Sequence, residues 1–241
     1  MKNKNLDHLK IERLNPLEID AALKQKSLIF IPLGAIEWHG LHLPIGLDSL
    51  TSQGICLQVA DKAGGLVMPP FYYGMSGTIW HHPYTILIEE ESVFLNIIKT
   101  TLVRLEACGV KKAIIFTGHF TLKQLNALET LKQEWPTISK SLALSVFSIS
   151  DCPSVEIDAD HGAIFETSVL AELHPELVKL QNLPPKDIFP ANDIDGNSKG
   201  DHRRNPENVL FGIFGNDPRN YIKSEGDSIM RNIVAWLIES V

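Results

Sequence analysis

The chain has 241 residues, a formal net charge of −7 and a hydrophobic fraction of 44%. That size and apolar content suit one α/β domain over residues 1–241 with a sizeable core, and the acidic balance argues against a nucleic-acid partner. No apolar run approaches the roughly 20 residues needed to cross a bilayer, which predicts no membrane partner. The N-terminal segment MKNKNLDHLKIERLNP has no apolar stretch of the kind a secretory signal carries. Cys56, Cys108 and Cys152 are odd in number and form no C-x-x-C pair. They predict a reducing, cytoplasmic setting, with each cysteine a small core residue.

The first clear element is residues 27–33 (SLIFIPL), a continuous apolar run ending at Gly34, which predicts a buried strand. A polar loop follows, then residues 49–63 with apolar positions at helical spacing, stopped by Gly64-Gly65. Residues 66–71, with Pro69-Pro70, predict a second strand, and 72–85 a loop rich in glycine, histidine and aromatics. A helix is expected over 91–108 with Gly109 at its C-cap, then a third strand over 112–117. Residues 121–135 predict a helix closed by Pro136, residues 141–149 a fourth strand, residues 163–173 a helix, and residues 225–241 a C-terminal helix. Residues 187–208, with Asp193, Asp195, Lys199, Asp201, Arg203 and Arg204, predict a long surface loop, with a minority expectation that it covers substrate. Strands alternating with helices predict a three-layer αβα fold with a mostly parallel central sheet.

In such a sheet ligands bind beyond the carboxyl ends of the strands. The first strand leads into Glu37, His39, His42 and Asp48, the third into His119, and the fourth into Asp158, Asp160, His161 and Glu166. Carboxylates and imidazoles together suit zinc, manganese or iron. Glu37 and His39, two apart, point the same way in extended chain, although E-x-H alone is a weak signal that also fits a surface pair. Asp48 sits just before a helix, where a plain N-cap is an equally good reading. Glu166 has apolar flanks, which suits a buried carboxylate needing a cation. His81 and His82 are as readily loop residues as pocket residues, and Trp80 could stack on a flat substrate. His8, His174 and His202 lack metal-type neighbours. Phosphate-loop, G-x-S-x-G and H-E-x-x-H motifs are absent from the sequence.

The run Pro32-Leu33-Gly34-Ala35-Ile36-Glu37-Trp38-His39-Gly40-Leu41-His42-Leu43-Pro44, followed by Asp48, resembles the opening motif of the creatininase (creatinine amidohydrolase) family. Further similarities follow in that family's order: Gly77-Thr78-Ile79, Thr117-Gly118-His119, the run from Asp160 to Ser168, the GIFGNDPR segment from Gly212, and Glu225-Gly226. The resemblance implies a metal centre of one or two divalent ions per chain, zinc first, with manganese or iron as alternatives. It implies Glu37, His39, Asp48 and His119 as metal ligands, with Asp48 bridging. His161 is implied as a catalytic histidine, and Glu166 as a ligand or as a catalytic residue orienting the attacking water. A small-molecule amide substrate and a homo-oligomer, up to a hexamer, are also implied.

The sequence departs from the family after His119. Thr121 stands where creatininases carry a glutamate that holds the second metal. A second ion then uses Glu166, binds weakly, or is missing. The expected reaction is hydrolysis of a cyclic or other non-peptide amide. A metal lowers the pKa of water from about 15.7 to about 7, and His161, expected to titrate near neutrality, protonates the leaving nitrogen. Two alternatives are a formamide hydrolase acting on a nucleotide-like intermediate, with Arg203 or Arg204 taking its phosphate, and a catalytically silent metal-binding subunit.

Overall fold

The computed structural model describes residues 5–155, 160–190 and 201–241. Asp158 and the 191–200 part of the polar loop, including Asp193, Asp195 and Lys199, lie outside the described residues, as do the side chains of Asp201 and His202. Four strands form one sheet: β1 (Leu28–Leu33), β2 (Leu66–Val67), β3 (Lys112–Thr117) and β4 (Ala143–Ser148). Their order is β2-β1-β3-β4 and every pairing is parallel. Leu28 to Leu33 lie opposite Lys112 to Thr117 without a break, so β1 and β3 end level and deliver their following loops to one edge.

Side chains alternate across the sheet. Leu28, Phe30, Ile114 and Phe116 face a layer built from α2 (Leu47–Ala63), α5 (Ile164–Leu173) and α6 (Lys223–Glu239). Ile29, Ile31, Leu33, Ala113 and Ile115 face α3 (Glu91–Ala107), α4 (Leu122–Ile138) and, at the margin, α1 (Pro16–Gln25). Both faces of the sheet are covered, which is why β1 reads as an unbroken apolar run rather than an alternating one. The fold is the expected three-layer αβα arrangement around a parallel sheet.

Several local expectations change. The second strand shortens to Leu66–Val67, because Pro69 and Pro70 have no N–H to give to the ladder. The chain still follows β1, with the Met68 and Phe71 amides donating to Phe30 and Pro32. α4 runs through Pro136 to Ile138, since a proline in the last turn forfeits only one helical bond. α1 was not foreseen, although Asn15, Pro16 and Glu18 form a capping box that announces it. Cys56 and Cys152 are buried, whereas Cys108 is exposed at the end of α3 and is not a core residue.

Candidate metal centre

Asp48 is not an N-cap: α2 starts at Leu47 with Gly46 as its cap, so Asp48 lies in the first turn and its carboxylate is free for other partners. It reaches the sheet edge because two glycines let α2 come close. A Cβ on Gly34 would lie 2.2 Å from the Ser49 nitrogen, and one on Gly118 would lie 2.4 Å from the Asp48 carbonyl oxygen. Only residues without a side chain permit that approach.

Glu37, His39, Asp48, His119, His161 and Glu166 are all buried and converge at the base of one pocket of about 300 Å³. Three overlapping sets could each hold a metal ion: Glu37–His39–His161, Glu37–Asp48–His119 and His39–Asp48–Glu166. Asp48 belongs to two of them. Its Oδ2 lies 2.9 Å from His119 Nδ1, and its Oδ1 lies 3.3 Å from His39 Nε2. Glu37 Oε2 is 3.4 Å from His119 Nδ1, and Glu166 Oε2 is 3.8 Å from His39 Nε2.

The outer nitrogen of each imidazole is held by the backbone. His39 Nδ1 pairs with the Glu37 carbonyl at 2.9 Å, His119 Nε2 with the Ser76 carbonyl at 2.6 Å, and His161 Nε2 with the Trp38 carbonyl at 2.9 Å. A carbonyl only accepts, so each of these nitrogens carries the proton. The inner nitrogens of His39 and His119 are thereby aimed at the carboxylates, as in histidines that bind metals. Ser76 supplies its carbonyl from φ 60°, a conformation rare outside glycine. The Ile79 amide donates to Glu37 Oε1 at 3.0 Å, which leaves Oε2 facing the cluster. Buried Gln124 reaches from α4 to the Met75 amide and the His119 carbonyl, fixing this loop against the strand end.

Electrostatics show which charge the cluster favours. Burial opposes charge on His39, yet Asp48 and Glu166 outweigh it and hold the ring's pKa up at about 10. His119 is raised to about 9 in the same way, against burial, by Asp48 and Glu37. Burial pushes Glu166 well above the usual carboxylate range. Protons are thus retained where buried carboxylates need positive charge, and a divalent cation held by these donors would supply that charge instead. The donor set, carboxylates plus imidazoles, fits such an ion.

His161 differs from expectation. Burial lowers its pKa to about 4, so it is neutral at pH 7 rather than poised near neutrality. Asp160 and His42 are buried but belong to none of the three sets. Asp160 accepts the amides of Phe165 and Glu166 and so caps α5. His42 Nε2 pairs with Thr167 Oγ1 at 3.1 Å. His81, His82 and Trp80 do not line the pocket. His82 stacks on Trp38 at 4.1 Å on the outer wall, and Trp80 is 69% exposed. Phe214, Thr78, Phe120 and Thr121 all line the pocket, a place that sequence reasoning did not assign to them. Thr78 and Phe214 lie within matched motifs, and Phe120 and Thr121 directly follow one. Of the two arginines noted, Arg204 lines the pocket, whereas Arg203 is buried and donates to the Ile213 carbonyl.

Fold and site together are those of an α/β protein with a metal-type cluster at the carboxyl edge of its sheet. The creatininase family model, described as creatinine amidohydrolase, matches residues 12–241, and the chain belongs to that family of hydrolases. It is 28% identical to the creatinine amidohydrolase of Pseudomonas putida over 193 residues, covering 68% of this chain and 74% of that one. It is 33% identical to the 3-dehydro-scyllo-inosose hydrolase of Thermotoga maritima over 105 residues, 42% of this chain but a third of that protein's length. A crystal structure of creatinine amidohydrolase superposes with a TM-score of 0.75 at 21% identity, covering 96% of both chains, and so shares the fold. Among the described residues no helix is long and apolar enough to cross a membrane.

Proposed function

We propose that residues 1–241 act as one metal-dependent amidohydrolase domain that cleaves a C–N bond of a small cyclic or other non-peptide amide. Glu37, His39, Asp48 and His119 hold the ion or ions, zinc first, with manganese or iron as alternatives. Glu166 takes the place left by Thr121, as a ligand or as the group that orients the attacking water. A cytoplasmic homo-oligomer is part of the same reading.

When bound, a divalent ion supplies Lewis acidity, bringing water towards ionisation near neutral pH and drawing electron density from the amide carbonyl. The chain's own residues do the rest. His161 is neutral at pH 7, and with its Nε2 proton given to Trp38, Nδ1 is the nitrogen able to take a proton. It accepts the proton released as water adds to the carbonyl carbon. It then delivers that proton to the nitrogen as the C–N bond breaks. Thr78, Phe120 and Thr121 form the wall against which the amide lies.

The observation that carries this reading is the convergence of seven buried ionisable side chains, the six above and Asp160, from separate segments on one pocket. The test is metal analysis of the purified protein with a panel of cyclic and linear amides, assayed before and after chelation. Hydrolysis that chelation abolishes and metal restores is expected. A metal-loaded protein that hydrolyses no amide overturns the enzymatic assignment in favour of a silent metal-binding subunit.

A further inference from the structure

The pocket has a buried floor of carboxylates and imidazoles, but its exposed rim carries a single guanidinium, that of Arg204. Arg13, Arg219 and Arg231 each pair with a carboxylate. Arg204 instead lies over the Phe214 ring, with its Cζ 4.9 Å from the centroid. A guanidinium held by its face keeps its in-plane N–H donors free, and those donors match the two oxygens of a carboxylate or phosphate.

The position of Arg204 is built rather than incidental. Its neighbour Arg203 is fully buried, donates to the Ile213 carbonyl, and accepts the Gly212 amide on its own carbonyl at 2.9 Å. Phe214, which carries the guanidinium, exchanges two backbone hydrogen bonds with His161, of 2.7 and 2.8 Å. One aromatic side chain therefore fixes the rim cation relative to the histidine of the proposed proton transfer. The His161 and Phe214 ring centroids lie 6.3 Å apart, a separation that a substrate with a short spacer between anion and amide would span. The net charge of −7 works against anionic ligands at long range, so anion recognition requires such a fixed local cation.

We infer that Arg204 is a specificity-determining residue that selects amides bearing a carboxylate or phosphate, binding that anion at the rim while the amide lies at the floor. This rests on the hydrolase reading above and names its substrate class.

The test is calorimetric binding of three hydroxamates to the metal-loaded protein: succinic monohydroxamate, its phosphonate counterpart 3-phosphonopropionohydroxamate, and the uncharged butyrohydroxamate. All three present the same metal-binding head. Wild type is expected to bind at least one of the anionic probes about tenfold more tightly than butyrohydroxamate, and whichever is preferred identifies carboxylate or phosphate as the partner. Arg204→Gln should abolish the preference, and Arg204→Lys, which keeps the charge but not the fork, should retain part of it. Equal affinities in wild type, or a preference that survives in Arg204→Gln, overturn the inference and leave the hydrolase reading standing. If none of the three binds, the inference also fails, while the hydrolase reading is decided separately by the amide panel.

Discussion

Glu37, His39, Asp48 and His119 follow β1 and β3 or sit in the first turn of α2, between two continuous hydrophobic layers. His161, Glu166, Arg204 and Phe214 come from the region after β4, where the described residues form helices and turns but no further strand. The strand-end side is positioned by main-chain contact and a ladder in register. The later side shares one of those hydrophobic layers through Phe165 and Val169 of α5, and its loops are held by discrete polar ties as well: the His161–Phe214 bridge, the Asp160 cap on α5, and Arg219, which pairs with Asp217 and donates to the carbonyls of Pro184 and Phe189. Under the proposed function this divides the labour: the four principal metal donors lie on the strand-end side, while Glu166 and the residues proposed to move protons and choose substrate lie on the side after β4, where loop sequence varies at smaller structural cost.

The largest effects should come from the rigid side. Glu37→Gln and His119→Ala are expected to lose metal and activity together, with rates down by at least about 10³-fold, as read by metal content and steady-state kinetics on the same preparations. His161→Ala sharpens the comparison: metal content should stay at wild-type level while turnover falls by about 10²–10⁴-fold. His161 also belongs to one of the sets able to hold an ion, so loss of metal in that variant would erase the proposed division, and wild-type turnover would remove His161 from the mechanism.

The smallest effect concerns the joint between the two sides. His42 lies in the strand-end loop, yet its carbonyl accepts the Lys179 amide and its ring pairs with Thr167. Burial, with help from His39, lowers its pKa to about 4. The unfolded chain takes up this proton near pH 6.5 whereas the fold resists it until about pH 4. The contribution of neutral His42 is therefore complete above pH 6.5 and lost as pH falls towards 4. Urea midpoints of the metal-free protein should drop from pH 7 to pH 5 more in wild type than in His42→Gln. Equal slopes would remove His42 as the acid-sensitive joint.

The sequence was most legible where one physical signal dominated. β3 was bounded to the residue because an apolar β-branched run met a glycine. The residues that form the site were nameable because carboxylates and imidazoles clustered after strands. Less was legible where two signals competed. Asp48 before a helix looked like a cap, and only the close packing allowed by Gly34 and Gly118 turns it to the cluster. Pro136 signalled a stop, but a helix near its end tolerates it. The lowered pKa of His161 depends on burial, which no spacing rule reports. Phe214 lies in the matched GIFGNDPR segment, but its place in the site was not legible there, because it arises from a backbone pairing with His161 more than 50 positions earlier.

The clearances around Asp48 also matter for protein engineering. With hypothetical Cβ atoms at Gly34 and Gly118 falling inside van der Waals contact of the helix backbone, a randomised library at either position would return almost entirely inactive clones. Diversity directed instead to Thr78, Phe120, Thr121 and Arg204 varies the wall and rim while leaving that packing intact. Such a library would change what enters the pocket, with the apparatus beneath it kept as a fixed part.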